Sequence, residues 1–320
     1  MHGPEGAYWA GLQTCGSIHA CPVCSAIIRT RRALMIEASA RLWLSLGGRL
    51  LFLTLTTSHD RREALTDLYG PITAAWRSLQ AHRWWREQSI FGFWRSTEIT
   101  YGYSGWHPHL HVLLFVEGDW DLAEAGREIG GRWRLAAQRS GLSSPSLTRG
   151  ARLQPVTATA GAADELARYL SKVLDDQGDG WGVGAELARA DAKRSGMSLS
   201  GLRRGAKGLS PMDLLESAAD GEALAVRRWH EYEQATKGRR AVEASRSVNR
   251  LCRDNGIQDK TDEELAVEQQ DGDLVLTLSG AMYRAIALAG YAAEVLNVEE
   301  TDGPVAALGF VQALLRVVAP

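Results

Sequence analysis

Residues 92–116 read GFWRSTEITYGYSGWHPHLHVLLFV, and they carry the clearest secondary-structure signal in the chain. Aromatic and β-branched residues, which favour strands, lie on both sides of the glycine-bounded segment Gly102-Tyr-Ser-Gly105. A short segment with glycines between two such runs is typical of a β-hairpin. We therefore predict two antiparallel strands, over residues 92–101 and 106–116.

Helical and extended patterns alternate on both sides of this hairpin. Apolar residues recur at helical spacing in several segments, whereas Arg49–Thr57 is a continuous apolar and threonine run, typical of a buried strand. The order β-α-β-β-α-β-α indicates an α+β fold class, with a central antiparallel sheet and helices on one face, as in the split βαβ family. Besides the hairpin, the predicted elements are helices over 25–45, 62–85, 122–139 and 162–174 and strands over 49–57 and 152–157.

Three histidines lie close together on the second hairpin strand. Side chains alternate between the faces of a strand, which places His107, His109 and His111 on one face. Two imidazoles two residues apart can bind one metal ion, and Glu98 on the partner strand is the best-placed carboxylate for a third ligand. The set His109, His111 and Glu98 suits Mg²⁺ or Mn²⁺, although its residue types also allow zinc. The alternative is that the histidines only line a polar strand face.

Three of the four cysteines fall within ten residues, in the segment Cys15-x3-His19-x-Cys21-Pro22-x-Cys24. No secretion signal opens the sequence, so we interpret the cluster as a structural zinc site rather than as disulfides. Three reduced cysteines without a metal are the alternative. The fourth ligand stays open, with His19, His2 and His59 as candidates.

The charge distribution permits a nucleic-acid partner. The net charge is −2, but residues 1–172 carry 19 lysine and arginine residues against 14 acidic ones, whereas residues 261–320 carry 2 against 10. A basic region is what contact with phosphates requires. With neither a leader pattern nor an apolar run long enough to span a bilayer, we expect a cytoplasmic protein.

Three motifs resemble those of a known family. His109-Leu110-His111 is similar to the histidine pair of HUH endonucleases, and Gly105–Phe115 resembles the second motif of plasmid rolling-circle replication (Rep) proteins from Gram-positive bacteria. Leu51–Thr56 is similar to their first motif, and Ala167-Arg-Tyr-Leu-Ser-Lys172 to their third. The segment Trp229–Arg239 is similar to the actinobacterial branch. The resemblance implies an HUH catalytic domain with an RRM-like sheet, preceded by a zinc-binding segment and followed by a helical extension.

The third motif implies a nucleophile. In the predicted helix, Glu165 and Tyr169 are four residues apart and share a face, with Lys172 three residues further on. The resemblance implies that Tyr169 attacks DNA to form a 5′-phosphotyrosyl link and free a 3′-hydroxyl. Lys172 would favour the phenolate or polarise the phosphate, and Glu165 could act as general base for a closing hydrolysis. Glu165 as an ordinary solvated helix charge is the alternative.

The expected function is therefore rolling-circle replication initiation, by metal-dependent nicking and joining at a plasmid double-strand origin. The expected partners are origin DNA, with His107 and Trp106 as possible contacts, and a host helicase and DNA polymerase. An HUH transposase or relaxase is the alternative with the same chemistry, and a zinc-stabilised DNA-binding repressor the one without catalysis. The predicted division of the chain is a cysteine-rich segment at 1–30, a nickase domain at 31–182, a charged helical extension at 183–255 and an acidic appendage at 256–320.

Overall fold

The computed structural model forms two compact units, residues 15–266 and a smaller one that combines residues 1–14 with 267–320. These units differ from the predicted division of the chain. Residues 1–14 fold with the C-terminal segment, and the three clustered cysteines belong to the large unit. No helix among the described residues is long and apolar enough to cross a membrane. The structure describes residues 2–3, 6–11, 14–156, 199, 202–203, 208–258, 260–267 and 274–318.

The large unit is built on a five-stranded sheet with the order β6-β3-β5-β4-β7, in which all neighbours are antiparallel. The predicted α+β class and the predicted hairpin are confirmed. Strands β4 and β5 pair along their length, from Gly102 opposite Gly105 at the turn to Ile90 opposite Val116 at the far end. The long apolar run forms β3, an interior strand between β5 and β6. The strands, numbered along the whole chain, are β1 (His2–Gly3), β2 (Gly6–Ala7), β3 (Arg49–Thr56), β4 (Ile90–Gly102), β5 (Gly105–Val116), β6 (Ala151–Pro155) and β7 (Val242–Ala244).

Helices cover both faces of this sheet, not one face as the sequence indicated. They are numbered along the described chain: α1 (Pro22–Ser45), α2 (Leu65–Ala81), α3 (Arg83–Glu87), α4 (Leu122–Arg139), α5 (Pro211–Ala219), α6 (Ala223–Thr236), α7 (Arg246–Asp254), α8 (Asp262–Val267), α9 (Gly280–Leu288), α10 (Ala292–Asp302) and α11 (Pro304–Val318).

Two buried clusters explain the arrangement. On one face, α2, α4, α5 and α6 pack on alternate residues of β5 such as Leu110 and Val112. On the other face, α1, α7 and α8 pack on Phe52, Leu113 and Phe115. The apolar strands therefore have few polar positions on either side, and burial on both faces needs two layers of helices.

Local capping sets several boundaries. Helix α4 begins after Asp121, whose Oδ1 accepts from the N–H groups of Ala123 and Glu124, and it has the predicted bounds. The predicted helix over 62–85 is instead two helices, since His82 is extended (φ −66°, ψ 140°) and caps α3 through the Trp84 N–H. Polar side chains that bond to nearby backbone groups in this way end one helix and start the next.

The small unit contains the β1–β2 hairpin and helices α9, α10 and α11. Ile286, Val295, Val311 and Leu314 form its buried cluster, and Trp9 donates from Nε1 to the carbonyl of Ala292 at 3.2 Å. The acidic end of the chain is thus a helical unit with a two-stranded hairpin.

Candidate metal centre on strands β4 and β5

The register of the hairpin brings three potential ligands together. Glu98 lies directly opposite His109, and the next residue on the same face, His111, lies opposite Ser96. One ligand atom from each of Glu98, His109 and His111 lies within 4.8 Å of the others. The three candidates named from the sequence therefore converge on one point, on the face of the sheet that carries α1 further along the strands.

Contacts on both sides hold the imidazole of His111. Its Nε2 donates to Glu98 Oε2 at 2.6 Å, and its Nδ1 lies 3.4 Å from the hydroxyl of Thr54 on β3. A hydroxyl can donate or accept, so Thr54 can partner Nδ1 in either tautomer. A ligand histidine usually has its second nitrogen bonded in this way, which fixes the orientation of the ring.

The electrostatics favour a neutral His109. Burial lowers the pKa of His109, the nearby His111 and His59 act in the same direction, and the charge of Glu98 opposes them. A neutral imidazole keeps the lone pair that a metal requires. Two imidazole nitrogens and one carboxylate oxygen form a donor set that fits a divalent cation and leaves coordination positions open.

His107 lies outside this group. Its Nε2 is 3.0 Å from Nε2 of His59, a residue of the loop after β3, and the group of ligand atoms that lie within 4.8 Å of one another does not include His107. Burial, with His59 and His109 adding to it, lowers the pKa of His107 to about 4, so the ring is neutral at neutral pH. From the sequence, His59 was expected only among the possible ligands of the cysteine site.

A second candidate centre lies at the start of α1. The thiols of Cys15, Cys21 and Cys24 lie within 4.8 Å of one another, with 3.8 Å between the sulfurs of Cys15 and Cys24. Burial raises the pKa of Cys24. Burial also acts to raise the pKa of Cys21, but hydrogen bonds, the largest of them from the Cys24 N–H, outweigh burial and lower the pKa of Cys21. The cluster can hold a metal ion.

His19 does not join the thiols, and its expected role as fourth ligand is wrong. The ring is buried and both nitrogens are used: Nε2 donates to the carbonyl of Arg239 at 3.2 Å, and Nδ1 accepts from the hydroxyl of Tyr232 at 3.1 Å. Burial, with Arg29 adding to it, lowers the pKa of His19 to about 3. His19 therefore connects the cysteine segment to α6 as a neutral core residue.

Trp106 is also a core residue, which contradicts its expected contact with DNA. The side chain is 1% exposed. It packs edge-on against Tyr101, with ring centroids 5.0 Å apart, and parallel to Tyr232 at 6.4 Å. The strand alternation that places His107 on the histidine face directs its neighbour to the opposite, helix-covered face.

The tyrosine helix lies outside the described residues. Tyr169, Glu165 and Lys172 all fall between residues 157 and 198, where the structure makes no statement. The roles assigned to these three residues remain predictions.

The fold and the two clusters define an α+β protein with a candidate divalent-metal centre on its sheet and a thiol cluster at the start of α1. Residues 10–123 match a family described as replication protein. This match includes the three cysteines of the thiol cluster and all three residues of the sheet centre.

Two Streptomyces proteins are similar over most of the chain. "Protein rep" of Streptomyces lividans is 29% identical over 331 residues, which cover 82% of this chain and 70% of that protein. "Neomycin resistance protein" of Streptomyces cyanogenus is 26% identical over 293 residues, which cover 71% of this chain and 66% of that protein. No solved structure matches the chain. The resemblance to plasmid replication initiators of the actinobacterial type is thus confirmed.

Two residues of the site were missed at the sequence level. Thr54 was assigned only to a buried strand, although its position in the run Leu-Thr-Leu-Thr signalled a polar side chain on one face of that strand. His59 follows the same strand by three residues, and a local pattern does not reveal which way such a loop folds.

Proposed function

We propose that the chain is a metal-dependent DNA nicking and joining enzyme that initiates rolling-circle replication at a plasmid double-strand origin. One observation carries the proposal. Glu98, His109 and His111 converge on adjacent strands in a chain that matches the replication protein family. A paired carboxylate and histidine cluster of this kind is suited to phosphoryl chemistry, because a cation held there can contact phosphate oxygens.

The sheet topology supports an HUH-type catalytic domain. The elements β3-α2-β4-β5-α4-β6 follow the βαββαβ order, and the four strands stand side by side as β6-β3-β5-β4. In this arrangement the first and third strands, β3 and β5, are the central pair. The histidines therefore lie on a central strand, where the neighbours on both sides restrict backbone movement.

The chain's own residues prepare the centre for Mg²⁺ or Mn²⁺. Glu98 provides the negative charge, His109 stays neutral because of its burial, and Thr54 orients His111. A divalent cation bound there would polarise the scissile phosphate and stabilise the charge that develops on its oxygens.

Tyr169 is the proposed nucleophile. Its phenol oxygen attacks phosphorus, and the bond between phosphorus and the 3′-oxygen breaks. The phenol loses its proton, the 3′-oxygen gains one, and the products are a 5′-phosphotyrosyl link and a free 3′-hydroxyl. Because a phenol has a pKa near 10, Lys172 is assigned to favour the phenolate or to polarise the phosphate. The 3′-end then primes synthesis, for which a host helicase and DNA polymerase are the proposed partners.

The experiment is nicking of an oligonucleotide from the double-strand origin, with Mn²⁺, and detection of a covalent protein–DNA adduct. Wild type should form the adduct, and H109Q, H111Q and Y169F should not. H230Q is the matched control, since His230 is an exposed histidine on α6 that pairs with Glu233. An adduct formed equally well by Y169F refutes the assignment of the nucleophile.

Glu165 has a separate test. E165A should spare nicking but impair the terminal release of DNA, because the proposed general base acts only on water in the closing step. Equal loss of both steps would count against this role.

The non-catalytic alternative makes the opposite prediction. A zinc-stabilised repressor would bind origin DNA without a divalent ion and would keep that binding in H109Q and H111Q. In either case we assign structural zinc to Cys15, Cys21 and Cys24, where a closed site would brace the start of α1.

A further inference from the structure

The pair His59 and His107 stands beside the proposed catalytic centre without belonging to it. The Nε2 atoms of the two rings are 3.0 Å apart, and the ring centroids are 3.7 Å apart. The group formed by Glu98, His109 and His111 includes neither residue. Two imidazole nitrogens at hydrogen-bonding distance from each other are therefore left over once that centre has been assigned.

One contact favours a particular tautomer of His59. Its Nδ1 lies 3.5 Å from the carbonyl oxygen of Thr57, which can only accept, so this contact is a hydrogen bond when Nδ1 carries the proton. In that tautomer the lone pair of His59 is on Nε2, the atom that lies 3.0 Å from Nε2 of His107. Histidines that bind metals commonly donate their second N–H to a backbone carbonyl in this manner.

The space beside the pair is kept open by a glycine. A Cβ at Gly102 would lie 3.1 Å from Nε2 of His107 and 3.3 Å from its Cδ2. A side chain at this position would therefore occupy the space next to the nitrogen that faces His59. Gly102 and its partner Gly105 are the last pair of the β4–β5 ladder.

We propose that His59 and His107 bind a second divalent cation, separate from the one assigned to Glu98, His109 and His111. Two nitrogens about 2.1 Å from one octahedral cation, and therefore about 90° apart, would lie about 3.0 Å from each other, close to the separation seen here. Imidazole nitrogens bind divalent first-row ions such as Co²⁺ and Ni²⁺. Water or phosphate oxygens complete the coordination, so the ion faces whatever strand of DNA reaches the neighbouring centre.

The test counts the Co²⁺ ions that the purified full chain takes up in equilibrium dialysis. H59Q and H107Q should each bind one ion fewer than wild type, and the double variant E98Q/H109Q should lose a different ion. Combining H107Q with E98Q/H109Q should remove both. G102A should lower the affinity for the ion assigned to His59 and His107 at least tenfold, because its new Cβ crowds Nε2 of His107. H230Q, which changes an exposed histidine, should bind as wild type does.

Two outcomes would overturn the proposal. Unchanged ion counts in H59Q and H107Q would mean that the pair is an ordinary hydrogen bond. Loss of both ions in E98Q/H109Q would mean that the pair has no independent site. Melting temperatures of each variant separate loss of a ligand from loss of the fold, and H59Q changes a loop rather than a strand. Ion counting does not depend on DNA nicking. A chain that binds both ions but fails to nick DNA would refute the proposed function and leave the second cation site standing.

Discussion

Replacing Thr54 by valine tests whether the strand beside the histidines tunes the metal centre. The hydroxyl of Thr54 lies 3.4 Å from Nδ1 of His111, whose other nitrogen meets Glu98 at 2.6 Å. When a cation takes Nε2 of His111, the proton moves to Nδ1 and needs an acceptor, which the hydroxyl provides. Valine keeps the β-branched shape that suits β3 and removes only that acceptor.

The expected magnitude follows from the length of this contact. Loss of a partner behind a ligand histidine lowers metal affinity about 10- to 100-fold. A separation of 3.4 Å is long for a hydrogen bond, so we expect the low end, about tenfold, or about 1.4 kcal/mol. The free energy of unfolding should change by about 1 kcal/mol or less, because one partly exposed hydroxyl is removed.

Isothermal titration with Mn²⁺ measures the change, and T56V provides the control. Thr56 also neighbours a site histidine, since it pairs with His109, but its hydroxyl donates to the carbonyl of Arg149 at 2.9 Å. T54V should raise the Kd about tenfold, and T56V should leave it unchanged. Equal affinity in T54V and wild type, or an equal loss in T56V, would refute the reasoning.

Three further predictions concern the core. W106A should lower the free energy of unfolding by about 3–5 kcal/mol. W106F should cost clearly less, because it keeps an aromatic ring in the core and the indole N–H that it removes has no hydrogen-bond partner among the described residues; chemical denaturation checks both, and a selective loss of DNA binding instead would restore the surface role. H19A should destabilise the chain by about 1–3 kcal/mol yet keep its bound zinc, whereas C24S should lose zinc; metal analysis decides, and zinc loss in H19A would return His19 to the ligand set. Burial raises the pKa of Glu37 in the folded protein. The contribution of Glu37 to stability is therefore complete when the pH is below the pKa of the unfolded carboxyl, and it is lost as the pH rises through the folded pKa. E37Q should therefore gain in melting temperature over wild type as the pH rises above the ordinary glutamate pKa of about 4.3, and a gain that does not vary with pH would contradict this.

Much of the sheet was predictable because its signals are local. The glycine-bounded turn at 102–105 determines the hairpin register, and that register alone places Glu98 opposite His109. Helix α4 has the predicted bounds because its cap, Asp121, is adjacent in sequence. For the same reason the three proposed metal ligands could be named before any tertiary contact was known.

Errors arose where one residue had two possible environments. Trp106 adjoins the histidine face in sequence, yet alternation directs it into the core against Tyr232, a residue more than 120 positions away. His19 lies among cysteines, yet α6 and the Arg239 carbonyl take both of its nitrogens. Such partners are brought together by packing, and local spacing contains no information about them.

The hairpin, the shared face of His109 and His111, and the cysteine cluster could be predicted from the chain alone, because each depends on residues a few positions apart along one element or turn. Packing of distant elements is what brings helices to both faces of the sheet, Thr54 to His111 and His59 to His107. Burial of apolar area drives that packing but is non-directional, so which distant side chains meet is known only once the layers are in place.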